Sequence, residues 1–312
     1  MKKLLHLLMT LVFSFTMLLP GFALAADNPA LSTNQKLEKV EQMLYGNTQG
    51  GSLISRMDMV ENDVYGIATS DPVLDRVTRM YDYLVGIPTT GEASFATKLN
   101  VVEWRLKESM SGEAARSRIE EAETMLNGTP STGAFAVRLD NLLKLTAYPD
   151  GVVPVQTVNL PKDSLMKIAF TEEFSSRTNK KGDEVRFKAA DNLYVNDVLV
   201  IPRGATGLGR IKKIRKPSAF GRDARIDIEF LYIHAVDGTK VPVYVGALAE
   251  QEAKTIAAGV GASVVGCVAL GPVGLVGGAF VKGKQVVIPA GTLSVVQTAQ
   301  DKEVQGAIYQ GQ

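Results

Sequence analysis

Three glycines close three look-alike stretches of the chain, and their spacing restricts the fold more than any other feature. Met43-Leu44-Tyr45-Gly46, Tyr83-Leu84-Val85-Gly86 and Met125-Leu126-Asn127-Gly128 repeat one pattern. Shortly after each closing glycine comes a second one: Gly51, Gly91 and Gly133. An apolar residue and then a basic one follow: Leu53 with Arg56, Phe95 with Lys98, and Phe135 with Arg138. A fixed period of about 40 residues means stacked supersecondary units.

Each unit reads as a helical hairpin. Leu37, Val40, Met43 and Leu44 share one face at helical spacing, as do Val73, Val77, Met80 and Leu84. Gly46, Gly86 and Gly128 stand where a left-handed cap residue belongs. Second helices are expected to begin near Phe95 and Phe135, carrying Leu99, Val102 and Leu106, and Leu139, Leu142 and Leu143. Residues 26–150 are thus predicted to be three helical hairpins, which must pack together because one cannot bury its own apolar stripe. Trp104, Tyr45, Tyr65, Tyr81 and Tyr83 belong to this half, either as core or as a ligand-binding face.

The N-terminus points to export. Lys2 and Lys3 precede an apolar run from Leu4 to Leu19, Pro20-Gly21 breaks it, and Ala23-Leu24-Ala25 offers a cleavage site. Residues 1–25 are expected to be a signal peptide, with a retained membrane anchor as the other reading. Cys267 is the only thiol, so no internal disulfide is possible. Once His6 leaves with the signal, His234 is the only imidazole, and any triad, Cys–His pair or His-based zinc site would have to pass through it. His234 ends an apparent strand and reads as structural. Gly278 to Lys284 has phosphate-loop spacing, but Gln285 replaces the required Ser or Thr. No catalytic residue, cofactor or metal site is expected, and the chain reads as a non-enzyme.

Charge divides the chain. Residues 27–150 hold 18 acidic and 12 basic side chains, a net of −6, and residues 151–312 hold 15 and 20, a net of +5. Tyr148-Pro149-Asp150-Gly151 ends the helical half, and Pro154 and Pro161 mark 151–162 as an extended linker. Strand alternation follows in Ser164–Phe170, Val198–Ile201, Gly207–Ile214, Arg225–Phe230, Lys240–Val245 and Gln285–Val296. Short strands at this spacing predict an antiparallel sandwich or barrel over 163–300, with 301–312 as a C-terminal tail. The fold class is α+β: all-α repeats, then a β-domain.

Within the β-domain, residues 255–281 contain no charge and are punctuated by Gly259, Gly261, Gly266, Gly271, Gly274 and Gly278. Gly271-Pro272 divides the stretch into two pieces, read as an apolar helical hairpin. Small residues at this spacing let helix backbones approach closely. Three readings remain: a glycine zipper inserted in a membrane, the core of a soluble oligomer, or ordinary buried structure. The densest cation cluster is Arg210, Lys212, Lys213, Arg215 and Lys216. With only Phe220 nearby to stack on a base, a specific nucleic-acid site is not expected, leaving an anionic lipid or wall polymer, or a solvated face.

The turn-and-strand series Val198-Leu199-Val200-Ile201-Pro202-Arg203-Gly204, Gly209-Arg210, Arg225-Ile226-Asp227-Ile228 with Asp237-Gly238, and Ile288-Pro289-Ala290-Gly291-Thr292 resembles the C-terminal β-domain of the TrbI-type outer-membrane core component of conjugation and type IV secretion channels. The resemblance spans 155–299. It implies a β-barrel with an inserted apolar helical hairpin, many copies forming a ring, and hairpins crossing the outer membrane. The helical repeat and the signal peptide depart from that pattern, which favours an outer-membrane or periplasmic place. The function expected is therefore a self-associating, outer-membrane-associated scaffold or channel component. The other reading is a soluble secreted or surface-displayed binding protein that docks ligands on its helical repeats.

Overall fold

The computed structural model describes residues 31–86, 91–146, 148–216, 224–259, 268–269, 275–276 and 286–308. The signal-peptide reading falls outside them. Among the described residues six helices fill the first half: α1 Thr33–Tyr45, α2 Leu53–Tyr65, α3 Val73–Leu84, α4 Phe95–Lys107, α5 Ala115–Asn127 and α6 Phe135–Leu145. Their starts are almost evenly spaced, with only the step from α3 to α4 slightly longer. The unit that repeats is therefore a single helix with its loop, and the period visible in the glycines covers two of them.

Each helix forms around an apolar stripe. Leu37, Val40 and Leu44, then Met57, Val60 and Val64, then Val77, Met80 and Leu84 are fully buried at helical steps. Ser52 and Ser94 open α2 and α4 by accepting hydrogen bonds from the Ser55 and Thr97 N–H groups at 3.2 and 3.1 Å. In the packing, α1 meets α3 and α5, α2 meets α6, and α4 meets α5 and α6. Gly46 faces Ala114 and Gly66 faces Ala134, each 3.6 Å from where a β-carbon would stand. Both contacts join equivalent positions of the repeat, the end of one helix against the start of the helix four places on.

The second half is β: β1 Val155–Leu160, β2 Leu165–Phe170, β3 Phe174–Ser175, β4 Glu184–Ala189, β5 Leu193–Val195, β6 Val198–Ile201, β7 Thr206–Arg215, β8 Arg225–His234, β9 Lys240–Tyr244, β10 Val268–Ala269, β11 Leu275–Val276, β12 Val287–Ile288, β13 Leu293–Thr298 and β14 Lys302–Ile308, with α7, Ala247–Gly259, after β9. Six strands close a barrel in the order β13-β2-β4-β7-β8-β9. Its core contains Phe170, Phe187 and Phe230, with Phe187 edge-on to Phe230 at 5.2 Å, as expected for a small barrel filled by side chains. A second sheet runs β1-β14-β6-β5. Here the structure departs from the expected linker and tail. Residues 151–162 supply β1 and 301–312 supply β14, and these strands pair from Val155↔Ala307 to Leu160↔Lys302. Pro154 and Pro161 flank β1 without entering it.

Arm and β-domain share one seam. Asn100 Nδ2 donates to the Val236 carbonyl at 2.8 Å, and the Met110 N–H donates to the Arg203 carbonyl at 2.8 Å. Met110 is buried with the barrel core, while Val236 and Ala307 are buried with the helical one.

Candidate functional site

The apolar insertion leaves a barrel that is already closed. β9 pairs directly with β13, Tyr244 opposite Gln297 and Val243 opposite Thr298, so residues 245–292 depart from and return to one place on the barrel wall. The departing leg is α7, whose Ala249 and Ala253 are buried with Val295 of β13. The first N–H groups of a helix have no partner within it. Gln297 supplies one: its Oε1 accepts from the Ala249 N–H at 3.2 Å. Gln297 Nε2 in turn donates to Asp163 Oδ1 at 2.6 Å and to the Tyr244 hydroxyl at 2.8 Å, and that hydroxyl donates to Asp163 at 2.7 Å. The Tyr244 bond holds the Asp163 carboxyl below its ordinary range, and Gln297 adds to this. This network pins the root of α7 to the barrel. The returning leg is β12, paired with β3 through Val287↔Ser175 and Ile288↔Phe174.

The helix of the insertion begins at Ala247, two turns ahead of the uncharged stretch, and Gly259 ends it. On either side of Gly271-Pro272 the described residues are β-paired, Val268↔Val276 and Ala269↔Leu275. These described residues are short paired strands where two helical pieces were expected. Gly261, Gly266, Gly271, Pro272, Gly274 and Gly278 lie outside the described residues. Among the described residues no helix is long and apolar enough to cross a membrane.

The cation cluster lies on β7 and just beyond it. Strict alternation would put Lys212 and Lys213 on opposite faces. A bulge between Ile211 and Lys213 breaks the alternation and leaves both exposed, together with Arg210 and, at the strand end, Arg215 and Lys216. The neighbouring strands partly answer these charges. Arg210 lies between Glu184 of β4 and Glu229 of β8 and donates to Glu229 Oε2 at 2.6 Å, which holds that carboxyl below its ordinary range. Lys213 faces Asp227 across the ladder. Lys212, Arg215 and Lys216 are the cations with no acidic residue opposite them in the β7–β8 register. His234 stands at the end of β8, its Nδ1 3.1 Å from the Thr206 carbonyl, and burial pushes its pKa down. Among the described residues no group of three His, Cys, Asp or Glu could hold a metal ion.

Sequence reasoning missed the most regular side-chain geometry in the molecule. Glu41 pairs with Arg56, Glu61 with Arg76, Glu103 with Arg118 and Glu123 with Arg138, at 2.6–2.7 Å and always at the same separation along the chain. The same four carboxylates also accept a backbone N–H from the loop that follows their own helix, from Gln49, Thr69, Ser111 and Ser131. All four glutamates are buried. Burial pushes the carboxyls of Glu61, Glu103 and Glu123 up, but the guanidinium and amide partners outweigh it and hold all three below the ordinary value. At the fifth junction, α3 to α4, Tyr81 and Lys98 occupy the equivalent positions. A Glu–Arg pair of fixed spacing, recurring with every helix but one, was the signal available in the sequence.

No protein-family model matches the chain, and no curated protein matches it. Among solved structures it is similar to ComB10 of the Com type IV secretion system of Helicobacter pylori, at 12% identity and a TM-score of 0.27, over 46% of this chain and 88% of that one.

Proposed function

We propose that this chain is a non-enzymatic cell-envelope protein that self-associates at the outer membrane as a scaffold or channel component, with residues 255–281 as the self-associating or lipid-contacting element. One observation carries the reading: the barrel closes between β9 and β13 without the insertion, so the uncharged stretch is not needed to complete its wall. A long uncharged segment that is not part of a closed barrel wall is suited to contact lipid or another protein. The Gln297–Asp163–Tyr244 network fixes the direction in which the segment leaves, which suits an element presented to a partner. Lys212, Arg215 and Lys216 give the same domain a cationic strand end for an anionic lipid or wall polymer. The expected export signal and the turn motifs that resemble the TrbI-type β-domain support a role in the envelope.

The test is fractionation of expressing cells with and without detergent, followed by native mass measurement of the full chain and of a variant lacking 255–281. The expected result is detergent-dependent recovery of a homo-oligomer, and a soluble monomer with an intact barrel when the segment is deleted. A monomer of the full chain in the aqueous fraction would sink the proposal. So would a deletion variant that cannot fold, since that would make the segment ordinary core.

A further inference from the structure

A polar cleft of about 450 Å³ opens on the seam between the arm and the β-domain. That volume is within the ordinary range of small-molecule sites. Its helical side is Trp104, Arg105 and Glu108 at the end of α4, and its β side is Asn192, Tyr194 and Arg203, with Asp191 beside them.

Both Trp104 and Glu108 break the repeat. Trp104 occupies the position held by Gln42, Asn62, Asp82, Thr124 and Lys144 in the other five helices. Glu108 occupies the position held by Gly46, Gly66, Gly86 and Gly128 in four of the other helices and by Tyr148 after α6. It closes α4 in the left-handed region at φ +52°, where Gly46, Gly66 and Gly128 take φ +80° to +83°. A side chain in that conformation costs about 1–2 kcal/mol, and such departures concentrate at functional sites. The repeat has thus given up its relaxed cap at the one junction where a carboxylate reaches the cleft.

The remaining geometry fits a defined ligand chemistry. Asn192 Oδ1 is held by the Trp104 indole N–H at 3.0 Å and the Arg203 N–H at 2.7 Å, which fixes the amide at the β side. Asp191 bonds Lys167 at 3.2 Å on its far side. The lining balances two guanidinium groups against two carboxylates, so it does not select a ligand of either charge. It combines aromatic rings, which meet C–H faces, with planar groups that donate to and accept from hydroxyls. We infer that this cleft is a binding site for an uncharged pyranose saccharide of one or two rings, with Glu108 as a hydroxyl acceptor. The inference does not depend on self-association of the chain.

Trp104 is the only tryptophan in the protein, so its fluorescence reports the cleft alone. The full chain is titrated with N,N′-diacetylchitobiose and, separately, with maltose. A saturable emission change is expected with at least one of them. A response to chitobiose identifies an acetylated, wall-type glycan, and a response to maltose alone identifies a non-acetylated one. Glu108→Gly restores the glycine of the repeat, should fold at least as stably, and should weaken binding about tenfold or more, the size of a lost charged hydrogen bond. Arg203→Gln, an exposed change that keeps the backbone bond to Met110, should weaken it as well. The inference is overturned if neither sugar gives a saturable change, if both variants bind as the parent does, or if only a zwitterionic dipeptide such as Ala-Ala responds.

Discussion

In the helical arm four of five junctions between successive helices carry a buried Glu–Arg pair, whereas the barrel core is apolar and its ion pairs lie at least partly in solvent. The difference follows from what fixes register in each architecture. Barrel strands are held in register by their backbone ladders, and a one-residue slip would turn every core side chain outward. Helices of a one-helix repeat present nearly the same apolar stripe, so apolar packing alone would accept several neighbours. A carboxylate that accepts one N–H from the loop behind it and one guanidinium from the next helix accepts only the correct neighbour. Buried pairs are weak contributors to net stability but costly to break, which suits a device that selects among packings.

Two substitutions of similar size separate the regions most sharply. Phe187→Ala in the barrel and Glu103→Ala in the arm should each cost about 3–5 kcal/mol in urea unfolding, the first by leaving a cavity and the second by leaving Arg118 buried without its partner. Adding Arg118→Met to Glu103→Leu should recover most of the arm's loss, because removing both charges removes the uncompensated one. Failure of that rescue would mean that the pair contributes stability outright and not mainly specificity.

The seam is tested by Gly204→Ala. Gly204 has φ +84°, and a β-carbon there would stand 2.0 Å from the Met110 carbonyl oxygen. A loss of at least about 2 kcal/mol is expected, with arm and barrel unfolding in separate transitions by circular dichroism. A single, unshifted transition would show that the arm and barrel do not depend on this contact.

Acid should act on the arm first. Glu61, Glu103 and Glu123 have folded pKa values below the ordinary 4.5, so their stabilisation is complete above about pH 5 and disappears as pH falls through the folded values. The urea midpoint of the helical signal should therefore fall as the pH drops below the ordinary glutamate range, and less steeply in the Glu103→Leu, Arg118→Met variant. A helical midpoint that stays flat through that descent would remove the ion pairs from the account. The smallest effect has the opposite sign: Glu108→Gly should raise the arm's stability by about 1 kcal/mol in the same urea assay, because glycine adopts the left-handed cap without strain.

Much of this architecture is legible in local patterns. Gly46 and Gly128 close helices in the left-handed region as expected, whereas Val85 closes α3 in the right-handed region and Gly86 does not take the expected left-handed conformation. Phe95 and Phe135 mark two helix starts, and the alternation in Arg225–Phe230 marks β8. The repeat reads at twice its period because the glycine five residues after the helix end, present as Gly51, Gly91 and Gly133, is replaced by Asp71 and Glu113 at the alternate junctions, and Glu108 replaces the closing glycine of α4. β1 and β14 escape a local reading because each has its partner at the opposite end of the β-domain, and neither shows strong alternation. The cation cluster is visible as composition, while its partial neutralisation by Glu184, Asp227 and Glu229 depends on pairing with β4 and β8.

Residues close together in the chain are enough to set the elements and the division into two halves, since helix periodicity, caps, strand alternation and the uncharged run of 255–281 are all local. Which elements meet is settled only in three dimensions: the Glu–Arg clamps between helices, the closure of β9 on β13 behind the insertion, and the cleft where Trp104 reaches Asn192. Those contacts join residues that loops hold apart, and their free energy exists only after the loops between them have closed, so no local pattern contains them.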